Sequence, residues 1–193
     1  MNFPNIVSFI RIFLIPFMIV MYYLPFAGAH SFASTIFLIA CLTDWLDGYL
    51  ARKLGQATAF GAFLDPVADK LLVVSAVVLV LGHANLDWLT LPSIVIVGRE
   101  IAVSALREWM AEVGASASVA VSYMGKFKTV IQMIAILFLL YYTPEITPGW
   151  FLIMGYLMYY AAAVLTLWSM FMYFKAAWPK LNAKEVHISD QTA

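Results

Sequence analysis

Four carboxylates, Asp44, Asp47, Asp65 and Asp69, fall within 26 consecutive positions of a chain that is otherwise 64% hydrophobic. On helices, Asp44 and Asp47 would share a face about 4.5 Å apart along the axis, and Asp65 and Asp69 one about 6 Å apart. Carboxylates so placed repel one another unless positive charge sits between them. The simplest neutraliser is one or two divalent ions with oxygen ligands, Mg²⁺ or Mn²⁺. Gly48, Ala51 and Gly61 are small residues beside these faces, and Arg52 supplies a guanidinium. Small residues admit a close backbone approach, and a phosphate binds well to metal and guanidinium together. The constellation points to a phosphate-bearing ligand. Two rival readings are structural ion pairs with Arg52, Lys53 and Lys70, and a cation or proton transporter, since aspartates in membranes also serve pumps.

The elements that must position these groups are apolar runs of about 20 residues, the length that crosses a bilayer core as a helix. They cover about 6–26, 31–50, 62–81, 88–110, 119–142 and 150–174. The segments 26–30, 82–87 and 143–149 break them, 51–60 reads as a polar connection, and the stretch AEVGASAS after Met110 reads as a loop. Only 11% of the 193 residues are charged, against about 25% in a soluble domain, and mean hydropathy is +0.89. The expected fold is an all-α integral membrane protein of six transmembrane helices. Residues 1–175 would form one domain, followed by a mobile polar cytoplasmic tail over 176–193. The net charge of zero offers no basic surface for nucleic acid, and the lone Cys41 excludes an internal disulfide. No secretory signal peptide is expected. His30, His83 and His187 have no ligand spacing and read as bystanders.

Charge asymmetry predicts the orientation. The breaks at 26–30, 82–87 and 143–149 hold no Lys or Arg, and all eleven basic residues lie toward the other ends of the runs. The positive-inside rule then places both termini, and a polar cavity holding the four aspartates, at the cytoplasmic side. Trp88, Tyr141, Tyr142 and Trp150 would form the far aromatic belt.

The pattern Asp44-x-x-Asp47-Gly48-x-x-Ala51-Arg52, eight residues, Gly61, three residues, Asp65, three residues, Asp69 resembles the full motif of the CDP-alcohol phosphatidyltransferase family. That resemblance implies transfer of a substituted phosphate from a CDP-linked lipid to an alcohol, with release of CMP. It implies that Asp44, Asp47 and Asp65 bind two divalent ions, and that Asp69 completes the metal site and acts as base on the acceptor hydroxyl. Gly48, Ala51, Arg52 and Gly61 would line the cytidine diphosphate pocket. A homodimer in a bacterial cytoplasmic membrane, among membrane lipids, is also implied.

Outside the motif, Pro4-Asn5 with Arg11, GRE at 98–100, SALREWMAE at 104–112 and GKFKT at 125–129 resemble the bacterial branch of the family that uses CDP-diacylglycerol and sn-glycerol 3-phosphate. A dianionic phosphate needs a basic pocket, and Arg99, Arg107, Lys126 and Lys128 are its candidates. Arg99 and Arg107 are eight apart and share a helix face. Glu100 and Glu108 would pair with these arginines and hold them. For Lys126 and Lys128, plain anchoring at the cytoplasmic side is an equal alternative. Phosphatidylglycerol or inositol phosphate would be the alternative acceptors. The aromatic-rich sixth run reads as lipid-facing or packing surface.

Overall fold

The computed structural model describes residues 3–54, 59–82, 87–112 and 123–191. These form six α-helices: α1 (Phe3–Tyr23), α2 (Ala29–Leu54), α3 (Ala59–Gly82), α4 (Thr90–Glu112), α5 (Tyr123–Tyr141) and α6 (Gly149–Gln191). A single 3-10 turn at Asp87–Leu89 leads into α4, and no strand occurs among the described residues. Residues 113–122, which include most of the expected AEVGASAS loop, and residues 55–58 of the expected connection lie outside them.

Two connections show why the chain reverses where it does. Between α1 and α2, Gly28 adopts φ 104°, a left-handed conformation that costs glycine little and an L side chain much more. Its carbonyl accepts the Phe32 N–H at 2.9 Å and so opens α2. Between α5 and α6, Thr147 satisfies the turn on both sides. Its hydroxyl donates to the Thr143 carbonyl at 2.6 Å and accepts the Thr143 N–H at 2.9 Å. Both turns contribute to one small cavity and therefore lie at the same end of the bundle. His30 ties them together there, stacked on Tyr22 at 4.4 Å and 3.1 Å from the Tyr142 carbonyl.

Helix α1 packs on α2 and α3, α5 packs on α6, α2 and α3, and α4 packs on α6. The contact faces are rich in small residues. Ala33, Ala40, Ala76, Ala135 and Ala162 are fully buried, which lets helix backbones come close. At Gly155 on α6 even a β-carbon would lie 2.9 Å from the Leu139 side chain of α5. Around these contacts Met18, Phe37, Leu72, Ile136, Leu139 and Tyr159 fill the interior. The Tyr159 hydroxyl is paired with Ser93 of α4 at 2.8 Å.

The outer surface is also apolar. Phe13, Phe32, Val78, Leu91, Val130 and Phe171 are each more than half exposed, one from each of the six helices. Of the six expected spans, Gly149–Lys175 is both long and apolar enough to cross a membrane, at a mean hydropathy of 1.7, among the described residues. Shorter apolar stretches are Phe9–Tyr23, Ala29–Asp44 and Lys128–Tyr141. The tail departs from expectation: α6 does not stop near Phe174 but continues as helix to Gln191. Its later residues include Lys, Leu, Ala and Glu, which are good helix formers despite their polarity.

Candidate active site

The end of the bundle opposite the two turns collects the charged side chains. On α1, Arg11 is fully buried, and its guanidinium contacts Asp44 of α2 at 2.6 Å. Among the described residues Arg11 is the cation on Asp44; of the partners considered from sequence, Lys70 lines the cavity beside Asp44 and the side chains of Arg52 and Lys53 lie outside the described residues. Helix α3 supplies Asp65 and Asp69, with Pro66 between them. Proline has no N–H, so one helical hydrogen bond is missing beside the carboxylates. Gly61, one turn earlier, is buried. Asp47, Gly48, Ala51 and Arg52 all belong to α2, though their side chains too lie outside the described residues.

Asp44, Asp65 and Asp69 line one cavity of about 850 Å³, together with Lys70, Glu100, Arg107 and Glu108. Five carboxylates against two cations give its described walls a formal balance of −3. An all-oxygen, anionic donor set of this kind fits hard divalent cations. As placed, no three His, Cys, Asp or Glu side chains among the described residues stand close enough to share one ion.

A second cavity, of about 480 Å³, lies beside the first and shares Asp69, Lys70, Glu100 and Arg107 with it. Its other polar walls come from Arg99, Lys128, Thr129, Gln132 and Tyr173. Here four cations face two carboxylates, a formal balance of +2. Arg99 and Lys128 are buried, at 7% and 2% exposure. Glu100 holds them both, at 2.9 Å from Arg99 and 3.4 Å from Lys128. The pairing expected of Glu100 is therefore present, while Glu108 contributes to the carboxylate cavity instead. Arg99 and Arg107, eight residues apart on α4, line this cavity together, as their spacing on one helix face requires. Lys126 lies on α5, and its side chain is outside the described residues.

Helix α6 supplies a part of the site that the sequence did not announce. The Tyr173 ring lies 5.8 Å from the Arg99 guanidinium and 5.3 Å from that of Arg107. Its hydroxyl accepts a hydrogen bond from Arg107 at 2.8 Å. One turn back, the Ser169 hydroxyl accepts from Arg99 at 3.2 Å. The expectation that this aromatic stretch only packs or faces lipid thus fails at Tyr173. Within such a run a tyrosine aimed inward has the same composition as one aimed outward. Gln132 and Arg11 carried a weak signal, since each is a polar group inside an apolar run.

The comparisons with known proteins bear on this arrangement. The family model for CDP-alcohol phosphatidyltransferase matches residues 1–168. A CDP-diacylglycerol–glycerol-3-phosphate 3-phosphatidyltransferase of Salmonella choleraesuis (strain SC-B67) is 53% identical over 176 residues, covering 91% of this chain and 94% of that protein. The enzyme of the same name from Escherichia coli (strain K12) is 51% identical over the same lengths. The carboxylate pattern, the paired cavities and these matches lead to one assignment: the chain belongs to the CDP-alcohol phosphatidyltransferase family.

Proposed function

We propose that this protein transfers the phosphatidyl group of CDP-diacylglycerol to a hydroxyl of sn-glycerol 3-phosphate, giving phosphatidylglycerophosphate and CMP. The observation that carries the reading is the pair of adjoining cavities, one with excess carboxylate and one with excess cation, that meet at Asp69. A two-substrate phosphoryl transfer needs such a division, with the reacting phosphorus and the attacking hydroxyl brought together at the boundary. Curated relatives that match nearly end to end bear the name of this reaction.

The CDP-lipid would occupy the carboxylate side, with Gly48, Ala51, Arg52 and Gly61 lining the pocket for its cytidine diphosphate. The family uses divalent metals. Asp44, Asp47, Asp65 and Asp69 would hold two ions, Mg²⁺ or Mn²⁺. When bound, such ions neutralise the pyrophosphate and stabilise the charge that develops on it. Arg11 keeps Asp44 in place from behind. On the cationic side, Arg99, Arg107, Lys126 and Lys128 would bind the acceptor phosphate. A described balance of +2 suits a dianionic phosphate monoester better than the monoanionic diester of phosphatidylglycerol. Asp69 then takes the proton from the acceptor hydroxyl. The hydroxyl oxygen bonds to the phosphorus that carries diacylglycerol, and the bond from that phosphorus to CMP breaks.

The apolar side chains exposed on all six helices support a bilayer setting, since contiguous apolar surface of this extent is unfavourable in water. We place the protein as a multi-pass protein of a bacterial cytoplasmic membrane, with six spans and both termini and the site toward the cytoplasm, where the basic residues collect. A homodimer is part of the same proposal.

The test is CMP release by the detergent-purified protein with CDP-diacylglycerol, with and without glycerol 3-phosphate and with metal or EDTA. Release that requires both glycerol 3-phosphate and Mg²⁺ or Mn²⁺ is the expected result. Release with inositol phosphate or phosphatidylglycerol in its place would keep the chemistry and replace the acceptor. No release with any alcohol would overturn the reading and return the aspartates to ion transport.

A further inference from the structure

The cationic cavity holds more than a phosphate requires. Gln132 of α5 contributes to its wall, is 2% exposed, and its side-chain oxygen has no hydrogen-bond partner among the described residues. Arg99, in the same wall, has its Nε buried and likewise unpartnered. A buried polar group left unpaired is costly, so such groups persist where something else completes them. Here the two atoms are of opposite kind, an N–H donor and an amide oxygen. A hydroxyl can accept from a group of the first kind and donate to one of the second, and it satisfies a carboxamide in either orientation. A phosphate dianion only accepts, so it does not complete the amide oxygen as placed.

Gln132 lies one helical turn beyond Lys128 on the same face of α5. It therefore neighbours the cation that would take the acceptor's phosphate. In an acceptor of three carbons with a phosphate at one end, the primary hydroxyl at the other end is the less hindered nucleophile and must reach Asp69. The hydroxyl on the middle carbon is the group left over. We infer that Gln132, with the Nε of Arg99, is a specificity-determining site that reads a non-reacting hydroxyl of the acceptor. This rests on the acceptor assignment above and deepens it. Lys128 and Arg107, the latter positioned by Tyr173, hold the charge, and Gln132 checks what kind of phosphate ester has arrived.

The experiment compares two acceptors at saturating CDP-diacylglycerol, glycerol 3-phosphate and 3-hydroxypropyl phosphate, which keeps the phosphate and the primary hydroxyl but lacks the middle one. The intact full-length protein should use the analogue with a kcat/KM lower by about 10- to 100-fold, because a site built to hydrogen-bond a hydroxyl rejects a ligand without it. Gln132→Leu should bring the two acceptors within about 3-fold of each other by losing activity on glycerol 3-phosphate. Its KM for CDP-diacylglycerol should stay as in the parent protein. Gln132→Met serves the same comparison if the leucine variant does not fold. The inference is overturned if the parent protein treats both acceptors alike, or if the folded variant loses the same factor on both. No CMP release by the parent protein with glycerol 3-phosphate would sink the acceptor assignment and this inference together.

Discussion

Replacing Tyr173 with Phe removes one oxygen and leaves the ring beneath both guanidiniums, so it isolates a single contact. That contact is the 2.8 Å hydrogen bond accepted from Arg107. A hydrogen bond to a charged donor is worth about 1.5–3 kcal/mol when buried. Arg107 is itself exposed, and water partly replaces the lost oxygen, so about 0.5–1.5 kcal/mol is the better figure. At about 1.4 kcal/mol per factor of ten, the KM for glycerol 3-phosphate should rise about 2- to 10-fold. Tyr173→Leu also removes the ring from two guanidiniums, each contact contributing about 0.5–1 kcal/mol or more where desolvated. It should raise that KM by roughly a further 5- to 50-fold. Because Tyr173 positions the arginines and touches no reacting atom, kcat should change little in the Phe variant. The assay is initial-rate CMP release with glycerol 3-phosphate varied at fixed, saturating CDP-diacylglycerol, repeated with the roles exchanged. The reasoning fails if the Phe variant matches the parent protein while the Leu variant raises both KM values equally, because Tyr173 would then be packing alone.

Asp69→Asn should lower kcat by at least about 10²-fold, the lower end of what a positioned general base supplies, with the unfolding temperature in detergent little changed; near-normal turnover would remove Asp69 from the role of base. Lys128→Met should raise the KM for glycerol 3-phosphate well above any change for CDP-diacylglycerol, and equal effects would argue for simple anchoring. Arg11→Met leaves Asp44 without its cation. Breaking a buried pair costs about 3–5 kcal/mol, and because Asp44 is partly exposed we expect roughly 2–3 kcal/mol here. The loss should appear as a lower thermal midpoint, partly restored in the Arg11→Met, Asp44→Asn double variant. An unchanged midpoint in the single variant would show that the pair adds no stability.

Much of the fold was legible because apolar runs and their breaks set the helices directly. The Thr143–Gly149 break is a turn closed by its own threonine, and the 26–30 break contains the one glycine that the reversal needs. The end of α6 was not legible, because helix propensity and polarity point in opposite directions after Lys175. In the site, Asp65 and Asp69 line one cavity as their four-residue separation on a helix face leads one to expect. Contacts between helices could not be read that way. Arg11 reaches Asp44 across two helices, and Tyr173 reaches Arg107 across 66 positions of chain. The sequence supplies the polar residue in each case but no sign of its partner. Gln132 shows the intermediate case: its place one turn after Lys128 marked a face, and only the cavity gave that face a purpose.

The cationic cavity also governs the fate of the product. On the proposed reaction, the phosphate that anchors the acceptor is not the one that reacts, so it survives unchanged in the new lipid. After CMP departs, that lipid would still be gripped by Arg99, Arg107 and Lys128 through the same dianion. The pocket cannot tell its substrate from its product by charge, and the product has gained two acyl chains that hold it at the bilayer. On that reading the product would compete with fresh acceptor for one site. A later reaction that hydrolyses this phosphate would withdraw the charge by which the pocket holds the product, and so help the synthesis run forward.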